Sequence, residues 1–425
     1  MRKRRKRDKH EHRERIPPLP PHLQEAEGGP GREYIYEAGC LLAARADADR
    51  VGELVGGLAD VESVRVEPVA GLGVARVEFS SDAHTVPEVV GHLRETAGPD
   101  VRAGPNHVLG RATHASLMSV TPPRPAVPRA SLYEEPDLPG EGIRVGVPDT
   151  GSWEHPYFGG RCDFRSPEDD DEPDADGDGL LDYAAGHGTF IAGLVLQHAP
   201  RATVVARRLP SEEHGEAPHQ DYVTDAQLAL GLAALPELGA VDVLTLAVGG
   251  YTHDGMGLIA TEALLQDYLA ANPGLVVVAG AGNDRQSEPF FPAALKYVVG
   301  VGALDASGQR RACFSNYGWW VDACAPGVRA HSTFLDWSDG LARYPDVPHH
   351  CAGQLDLDPD PDVDGFEGFA YWDGTSFAAP RVAAAVAARM SQGRSGPEAV
   401  FDVLHAPGVR RLPLLGTVVN PQSYP

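Results

Sequence analysis

The segment DGTSFAAP at residues 373–380 is followed by the apolar run VAAAVAA at residues 382–388. A glycine turn brings Ser376 to the start of an alanine-rich helix, and the small side chains allow that helix to lie deep in a core. The first N–H groups of the helix and the positive end of its dipole then surround the serine hydroxyl. Such a position suits a nucleophile and an oxyanion formed beside it. On this segment alone, a turn that only caps a buried helix is the alternative.

Upstream of this serine, from Gly142 onward, short apolar runs alternate with helical ones. This pattern predicts an α/β fold with a mostly parallel sheet and helices on both faces. Reactive groups in such folds lie at the carboxyl ends of strands and in the loops that follow. The predicted strands are residues 143–147, 203–207, 241–248, 275–279 and 298–301, and the predicted helices are 188–196, 224–235, 257–271 and the one after Thr375.

Two further polar residues lie at predicted element boundaries. Asp149 follows the first strand in VGVPDTG, and His187 begins an apolar helix in HGT. A serine hydroxyl needs a base to take its proton, and an imidazole base needs a carboxylate to set its tautomer. Taken singly, each residue also fits a structural role, as a strand-end turn for Asp149 and a helix-start histidine for His187.

A fourth polar residue completes the pattern. Asn283 follows the apolar strand in VVVAGAGN at residues 276–283. Its side-chain amide, together with the backbone N–H of Ser376, is suited to stabilise negative charge on a tetrahedral intermediate.

The four motifs Asp-Thr-Gly, His-Gly-Thr, Ala-Gly-Asn and Gly-Thr-Ser-Phe-Ala-Ala-Pro, in this order, resemble the subtilisin-like (subtilase) serine peptidases. The resemblance covers about residues 142–392. It implies that Asp149 is the orienting acid, His187 the general base and Ser376 the nucleophile, with Asn283 as the oxyanion donor. Phe190 and Ala247 stand where the family commonly has histidine and serine, and neither position bears on acyl transfer.

The resemblance also implies a substrate-binding edge. Val248, Gly249 and Gly250, in LAVGG, look like the family's strand that pairs with the substrate backbone, and Gly282 would border the S1 pocket. The segment FFP at residues 290–292 falls near the S1 base, which favours a restricted or reshaped pocket. Asp284 favours a basic residue there as an alternative.

A smaller unit precedes the peptidase-like region. Residues 34–110 carry runs in the order βαββαβ, which is typical of a ferredoxin-like α+β domain. Residues 1–33 are predicted to be a disordered basic and proline-rich tail, residues 111–141 a proline-rich linker, and residues 142–425 the peptidase domain. The resemblance implies that the small domain is a self-cleaved, inhibitory prodomain. A permanently attached accessory domain is the alternative.

Composition narrows the partners and the compartment. The net charge of −24 argues against nucleic acid, and no apolar run is long enough to cross a membrane. The basic N-terminus lacks an apolar h-region, so we expect a cytoplasmic protein, or a secreted one if the true start lies upstream. Five cysteines without a C-x-x-C pair favour no essential disulfide framework, although an approach of Cys313 to Cys324 stays open.

Two acidic loops resemble calcium sites. DADGDG at residues 174–179 keeps the start of a calcium loop but has Ala185 at the twelfth position, and DPDVDG at residues 360–365 has Tyr371 there. Structural calcium in at least one loop is the hypothesis, and solvated acidic loops are the alternative.

Together these features predict a serine endopeptidase that hydrolyses peptide bonds through an Asp-His-Ser triad and an acyl-enzyme, made as a self-processed zymogen. Its partners would be a peptide or protein substrate and its own N-terminal domain, with no organic cofactor. One alternative is a dedicated intracellular precursor-processing peptidase of narrow specificity. The other is a catalytically silent binding protein with the subtilase fold.

Overall fold

The structure is a computed structural model of the 425-residue chain. It describes residues 19–27, 33–98, 100–110, 120–130, 137–163, 169–174, 177, 179, 181–182, 184–210, 222–235, 240–255, 257–337, 351, 353–355 and 365–420.

The N-terminal part of the described chain builds a small antiparallel sheet with two helices. Its strands lie in the order β5-β2-β4-β3, with β1 added to β2. The helix α2 begins with a capping box between Thr85 and Glu88, and it buries Val86, Val89 and Leu93 against the sheet, as the helical spacing predicts. The elements are β1 (Leu23–Glu27), β2 (Glu33–Ala44), α1 (Ala48–Gly56), β3 (Ser63–Pro68), β4 (Val74–Ser80), α2 (Val86–Ala97) and β5 (Ala103–Leu109).

One part of the predicted disordered tail is ordered. Leu23–Glu27 forms β1 and pairs antiparallel with β2, from Leu23 opposite Glu37 to Glu27 opposite Glu33. The prediction is therefore wrong for this segment, because partner strand β2 supplies the hydrogen bonds that the polar sequence could not foretell. Residues 1–18 and 28–32 of the predicted tail lie outside the described residues.

The rest of the described chain is organised around a nine-stranded sheet in the order β17-β18-β14-β13-β12-β11-β7-β9-β8. Neighbouring strands are parallel except β17 and β18, which confirms the predicted α/β fold class. The elements are β6 (Arg124–Pro125), β7 (Arg144–Asp149), β8 (Cys162–Asp163), α3 (His187–His198), β9 (Thr203–Arg208), β10 (Val223–Thr224), α4 (Asp225–Ala234), β11 (Val243–Leu246), α5 (Ile259–Ala271), β12 (Val276–Gly280), β13 (Val298–Leu304), β14 (Ala323–Pro326), β15 (Ala330–Trp337), β16 (Phe366–Trp372), α6 (Ala379–Met390), α7 (Gly396–His405), β17 (Arg411–Leu412) and β18 (Gly416–Val418).

Alternate residues of each central strand face two separate cores. In β12, Val276 and Val278 pack with α3 and α6, whereas Val277 and Ala279 pack on the side of α4 and α5. All twelve residues of α3 are buried, so that helix lies between the sheet and its neighbours α6 and β15. A strand buried on both faces reads as a continuous apolar run, which is why the sequence predicted these strands well.

The N-terminal sheet docks on helices α4 and α5. Its apolar residues belong to the same core as those two helices, and strand β10 extends the sheet by pairing with β5. Asn106 Oδ1 accepts a hydrogen bond of 3.2 Å from the N–H of Ala226 in the first turn of α4. The Asp225 carboxylate accepts bonds from the N–H groups of Ala260 and Thr261 at the start of α5, where the helix dipole favours an anion.

Part of the predicted linker belongs to the body of the protein. Val120 and Thr121 are buried, and β6 pairs antiparallel with β16. Arg124 Nη1 donates to Asp373 Oδ2 at 2.7 Å, and both side chains are buried. The prediction of a proline-rich linker is therefore wrong for residues 120–126, because they pair with β16 and Asp373, about 250 positions further along the chain. Residues 111–119 and 131–136 lie outside the described residues.

The cysteines pair differently from the sequence expectation. Cys313 forms a disulfide bond with Cys351, whereas Cys324 is a buried free thiol in β14. Spacing along the chain carries no signal for a bond that spans 38 positions.

Among the helices in the described part of the chain, none has the length and apolar character of a membrane span.

Candidate active site

Asp149 and His187 meet where strand β7 ends and helix α3 begins. Asp149 Oδ1 accepts a 2.8 Å hydrogen bond from His187 Nδ1 and a second of 2.8 Å from the N–H of Thr150. Both side chains are buried, with His187 0% exposed. Since Nδ1 carries the proton in this bond, Nε2 is left as the basic nitrogen, and it has no hydrogen-bond partner among the described residues.

A glycine makes this approach sterically feasible. A Cβ on Gly188 would lie 2.0 Å from the carbonyl oxygen of Gly151 and 3.3 Å from Asp149 Cβ. Any other residue would therefore push α3 away from the end of β7 and lengthen the Asp149–His187 bond.

Ser376 lies in a single 3₁₀ turn, Thr375–Phe377, that leads into α6. Its hydroxyl donates to the carbonyl oxygen of Ala247 at 3.4 Å, just beyond the end of β11. The neighbouring ring of Phe377 lies 5.3 Å from the His187 ring, centroid to centroid. The fold thus brings the serine turn, the histidine and the end of β11 together from three distant parts of the chain.

Asn283 is held by the residue that precedes the serine. Its Oδ1 accepts from the Thr375 N–H at 2.9 Å and from Thr375 Oγ1 at 3.0 Å, while Thr375 Oγ1 accepts from the Gly282 N–H at 3.1 Å. A backbone N–H can only donate, so the oxygen of the Asn283 amide must face Thr375. The NH₂ group on the other side of the amide is then the donor. Asn283 is therefore positioned by the same turn that carries Ser376.

The predicted substrate-binding edge contacts the end of the N-terminal sheet. The Gly110 N–H donates to the Gly249 carbonyl at 3.1 Å. A Cβ on Gly250 would lie 3.0 Å from Leu109 Cδ2 and 3.3 Å from the Val108 carbonyl oxygen. On its other side, Leu109 pairs with Val223 of β10. The chain entering Gly110 thus lies between β10 and the Gly249–Gly250 segment, the position in which an extended peptide adds to an exposed edge.

A cleft runs alongside this contact. Its walls include the ends of β5, β7 and β9 and the buried side chain of Val248, and they comprise Leu109, Gly110, Asp149, Thr150, Asp171, Glu172, Ala185, Arg208, Leu209, Tyr222, Val223 and Val248. The end of the N-terminal sheet therefore shares a cleft with Asp149.

Asp171 is a site residue that sequence reasoning missed. Its Oδ2 accepts from Thr150 Oγ1 at 3.1 Å and from the Gly186 N–H at 2.9 Å, and Thr150 Oγ1 accepts from the Gly188 N–H at 3.1 Å. One buried carboxylate thus ties the residue after Asp149 to the two residues that flank His187. Burial raises the pKa of Asp171 to about 7, although these hydrogen bonds counteract part of the shift. The residue lies in the acidic run EDDDE, where nothing in the sequence distinguishes it.

Gly282 faces an aromatic ring. Its φ is +94°, and a Cβ there would lie 2.9 Å from Phe290 Cδ2. Asp284 Oδ2 accepts from the Tyr251 hydroxyl at 3.0 Å, and burial raises the pKa of Asp284 to about 7. Because this carboxyl is hydrogen-bonded to a tyrosine and is partly protonated near neutral pH, Asp284 is poorly suited to bind a basic substrate side chain.

Most residues of the two predicted calcium loops are not described by the structure. Residues 175, 176, 178 and 356–364 lie outside the described residues. In the parts of the chain that the structure does describe, no group of three or more histidine, cysteine, aspartate or glutamate side chains is close enough to hold a metal ion.

These features define an α/β protein in which an aspartate, a histidine, an asparagine and a serine converge near the carboxyl ends of parallel strands. The model of the subtilase family matches residues 140–402, which is well over half of the chain. The chain belongs to the subtilase family.

Individual relatives agree with this assignment. The chain is 32% identical over 221 residues to a thermophilic serine proteinase of Bacillus sp. (strain AK1), a match covering 50% of this chain and 44% of that protein. It is 29% identical over 271 residues to thermitase of Thermoactinomyces vulgaris, covering 60% and 77%. The first of these alignments spans less than half the length of the relative, and a subtilisin-like protease 3 of Pseudogymnoascus destructans is likewise matched over 55% of its length.

A solved structure shares the fold. Fervidolysin of Fervidobacterium pennivorans, a keratinolytic enzyme related to subtilisin, superposes with a TM-score of 0.55 at 20% identity. The superposition covers 91% of this chain and 60% of that one.

Proposed function

We propose that the protein is a serine endopeptidase that cleaves peptide bonds through an acyl-enzyme on Ser376. The observation that carries this proposal is the buried Asp149–His187 hydrogen bond, which leaves the basic Nε2 of His187 without a partner among the described residues. Membership in the subtilase family supports the same reaction.

In the proposed reaction, Ser376 Oγ attacks the substrate carbonyl while His187 Nε2 takes its proton. Asp149 stabilises the resulting imidazolium through Nδ1. The Asn283 amide and the Ser376 N–H donate to the oxyanion. His187 then gives the proton to the leaving amine, and a water molecule hydrolyses the acyl-enzyme by the reverse set of proton transfers.

The test is covalent labelling with a fluorophosphonate, which reacts with an activated serine. The processed protein should be labelled at Ser376, and both Ser376→Ala and His187→Ala should abolish labelling and peptide hydrolysis. We expect rate losses on the order of 10⁴-fold or more, since members of such a triad act as a unit. Failure to label the processed wild-type protein would instead favour the catalytically silent binding protein.

We further propose that the chain is made as a zymogen and that its N-terminal domain blocks the site until it is cut. The Gly110–Gly249 hydrogen bond and the packing of Leu109 against Gly250 support this, because they occupy the edge on which a substrate would pair. A permanently attached accessory domain predicts an uncut chain. Intact-mass spectrometry of wild type and Ser376→Ala separates the two, since self-cleavage vanishes only in the variant.

A dedicated precursor-processing peptidase of narrow specificity is the second candidate. The Phe290 ring against Gly282 favours it, because a filled pocket accepts few side chains. A library of peptide substrates decides between the two, since a general degrader cleaves many sequences at comparable rates.

A further inference from the structure

The Phe290 ring fills the space between Gly249 and Gly282, two glycines near the serine turn. A Cβ on Gly249 would lie 2.5 Å from Phe290 Cε1, and a Cβ on Gly282 would lie 2.9 Å from Phe290 Cδ2. Gly249 is two residues after Ala247, whose carbonyl contacts Ser376 Oγ, and Gly282 immediately precedes Asn283. The ring is 5% exposed, so it belongs to the wall of the site and not to the solvent.

The ring is held from behind. Tyr251 lies edge-on to it, with 5.3 Å between centroids. The Tyr251 hydroxyl donates to Asp284 Oδ2 at 3.0 Å and accepts from Asn316 Nδ2 at 2.9 Å. The next residue, Phe291, exchanges two backbone hydrogen bonds of 2.9 Å with Gly250. A substrate side chain would have to break this packing to displace the ring, so the space is not available to a large residue.

The register of the edge shows which substrate residue meets the ring. Gly110 is bonded to Gly249, while the earlier residues Val108 and Leu109 lie at Gly250, so the two chains run antiparallel. A peptide that continues in this register brings its residue two positions further on to Ala247, beside Ser376 Oγ. Opposed residues, and residues two apart, share one face of a β-ladder. The substrate residue opposite Ala247 therefore directs its side chain to the same face as Gly249, on which Phe290 lies.

We propose that Phe290 limits the residue on the acyl side of the cleaved bond to glycine or alanine. The proposal rests on the peptidase function proposed above.

Peptide substrates test the proposal. A series that differs only in the acyl-side residue should be cleaved with a kcat/KM at least about 10-fold higher for alanine than for leucine or phenylalanine. Phe290→Ala should raise the ratio of the phenylalanine rate to the alanine rate by about 10- to 100-fold. Phe158→Ala, which removes an equally buried ring away from these glycines, is the matched control and should leave the ratio unchanged.

The outcomes separate the two proposals. A wild-type enzyme that hydrolyses phenylalanine substrates as fast as alanine ones, or a ratio that Phe290→Ala leaves unchanged, refutes the role of Phe290 while the peptidase function stands. Absence of hydrolysis together with absence of fluorophosphonate labelling refutes the peptidase function, and the specificity proposal falls with it.

Discussion

Acidification should loosen the contact between the N-terminal sheet and the rest of the protein, because a buried histidine lies in that contact. His107 is 2% exposed, and its Nε2 accepts a 3.0 Å hydrogen bond from the backbone N–H of His253. Its Nδ1 has no hydrogen-bond partner among the described residues. Protonation would turn Nε2 into a donor that faces another donor. The Tyr34 ring packs against the His107 ring and its hydroxyl bonds to His253 Nδ1, while Asp254, the residue after His253, is paired with Arg94.

The size of the effect follows from the pKa. Burial is the main cause that lowers the pKa of His107 from 6.5 to about 3, and the charge on His253 is the second cause. Release of the domain exposes the ring to water and restores its ordinary pKa, so the released state binds more protons between pH 6.5 and 3. Docking is therefore at full strength above pH 6.5 and weakens as the pH falls through this window. At pH 5 the weakening is ~2 kcal/mol, a factor of about 30.

Hydrogen–deuterium exchange of the Gly110 amide, whose N–H bonds to Gly249 across the contact, measures this opening in the uncut Ser376→Ala protein. After correction for the intrinsic pH dependence of exchange, protection of Gly110 should fall about 30-fold between pH 7.5 and pH 5. The matched control is His107→Asn, which does not titrate. His253 is half-buried and titrates in the same direction, so the difference between the two proteins isolates His107. A wild-type change below about threefold, or an equal change in His107→Asn, would refute the reasoning.

Four further predictions concern the site and its supports. Asn283→Ala should lower kcat by about 10²–10³-fold with little change in KM, since its amide is proposed to act on the transition state, and steady-state kinetics decides this. Asp171→Ala should lower kcat more than Asp171→Asn, which keeps acceptors for Thr150 and Gly186. Both variants remove the carboxyl whose pKa is raised to about 7, so the pH–rate profile of each should lose an ionisation near pH 7. An equal kcat in the two variants would contradict a positioning role. Arg124→Ala leaves the Asp373 carboxylate buried without its cation and should destabilise the protein by about 3–5 kcal/mol in denaturant unfolding, whereas a loss below about 1 kcal/mol would contradict the buried pair. Millimolar calcium should raise Tm if an acidic loop binds it, and the hypothesis fails if chelation shifts nothing.

Much of the fold was predictable because its signals are local. The strands β7, β9, β11, β12 and β13 are short apolar runs, and α3 and α6 follow glycine turns with small or apolar residues. Patterns of this kind depend on which faces are buried, and burial on both faces leaves a continuous apolar run in the sequence. The alternation of such strands with helices was therefore enough to predict the parallel sheet.

The errors share one cause, which is pairing between distant segments. Leu23–Glu27 forms a strand because it pairs with β2. Residues 120–126 belong to the body of the protein because they pair with β16 and bond to Asp373. The pairing of Cys313 with Cys351 is of the same kind. A polar or proline-rich sequence predicts disorder unless a partner satisfies its backbone, and the sequence does not reveal that partner.

By itself the sequence determined the order of the motifs around Asp149, His187, Asn283 and Ser376, because each is a short string with its own turn or helix signal. Only the tertiary structure decided how these groups are held and what reaches them. Asp171 links two loops that flank the Asp149–His187 pair, and the Phe290 ring lies against glycines from the segments that follow β11 and β12. These are contacts of about 3 Å between residues far apart in the chain, and such distances exist only after the sheet has brought its strand ends together.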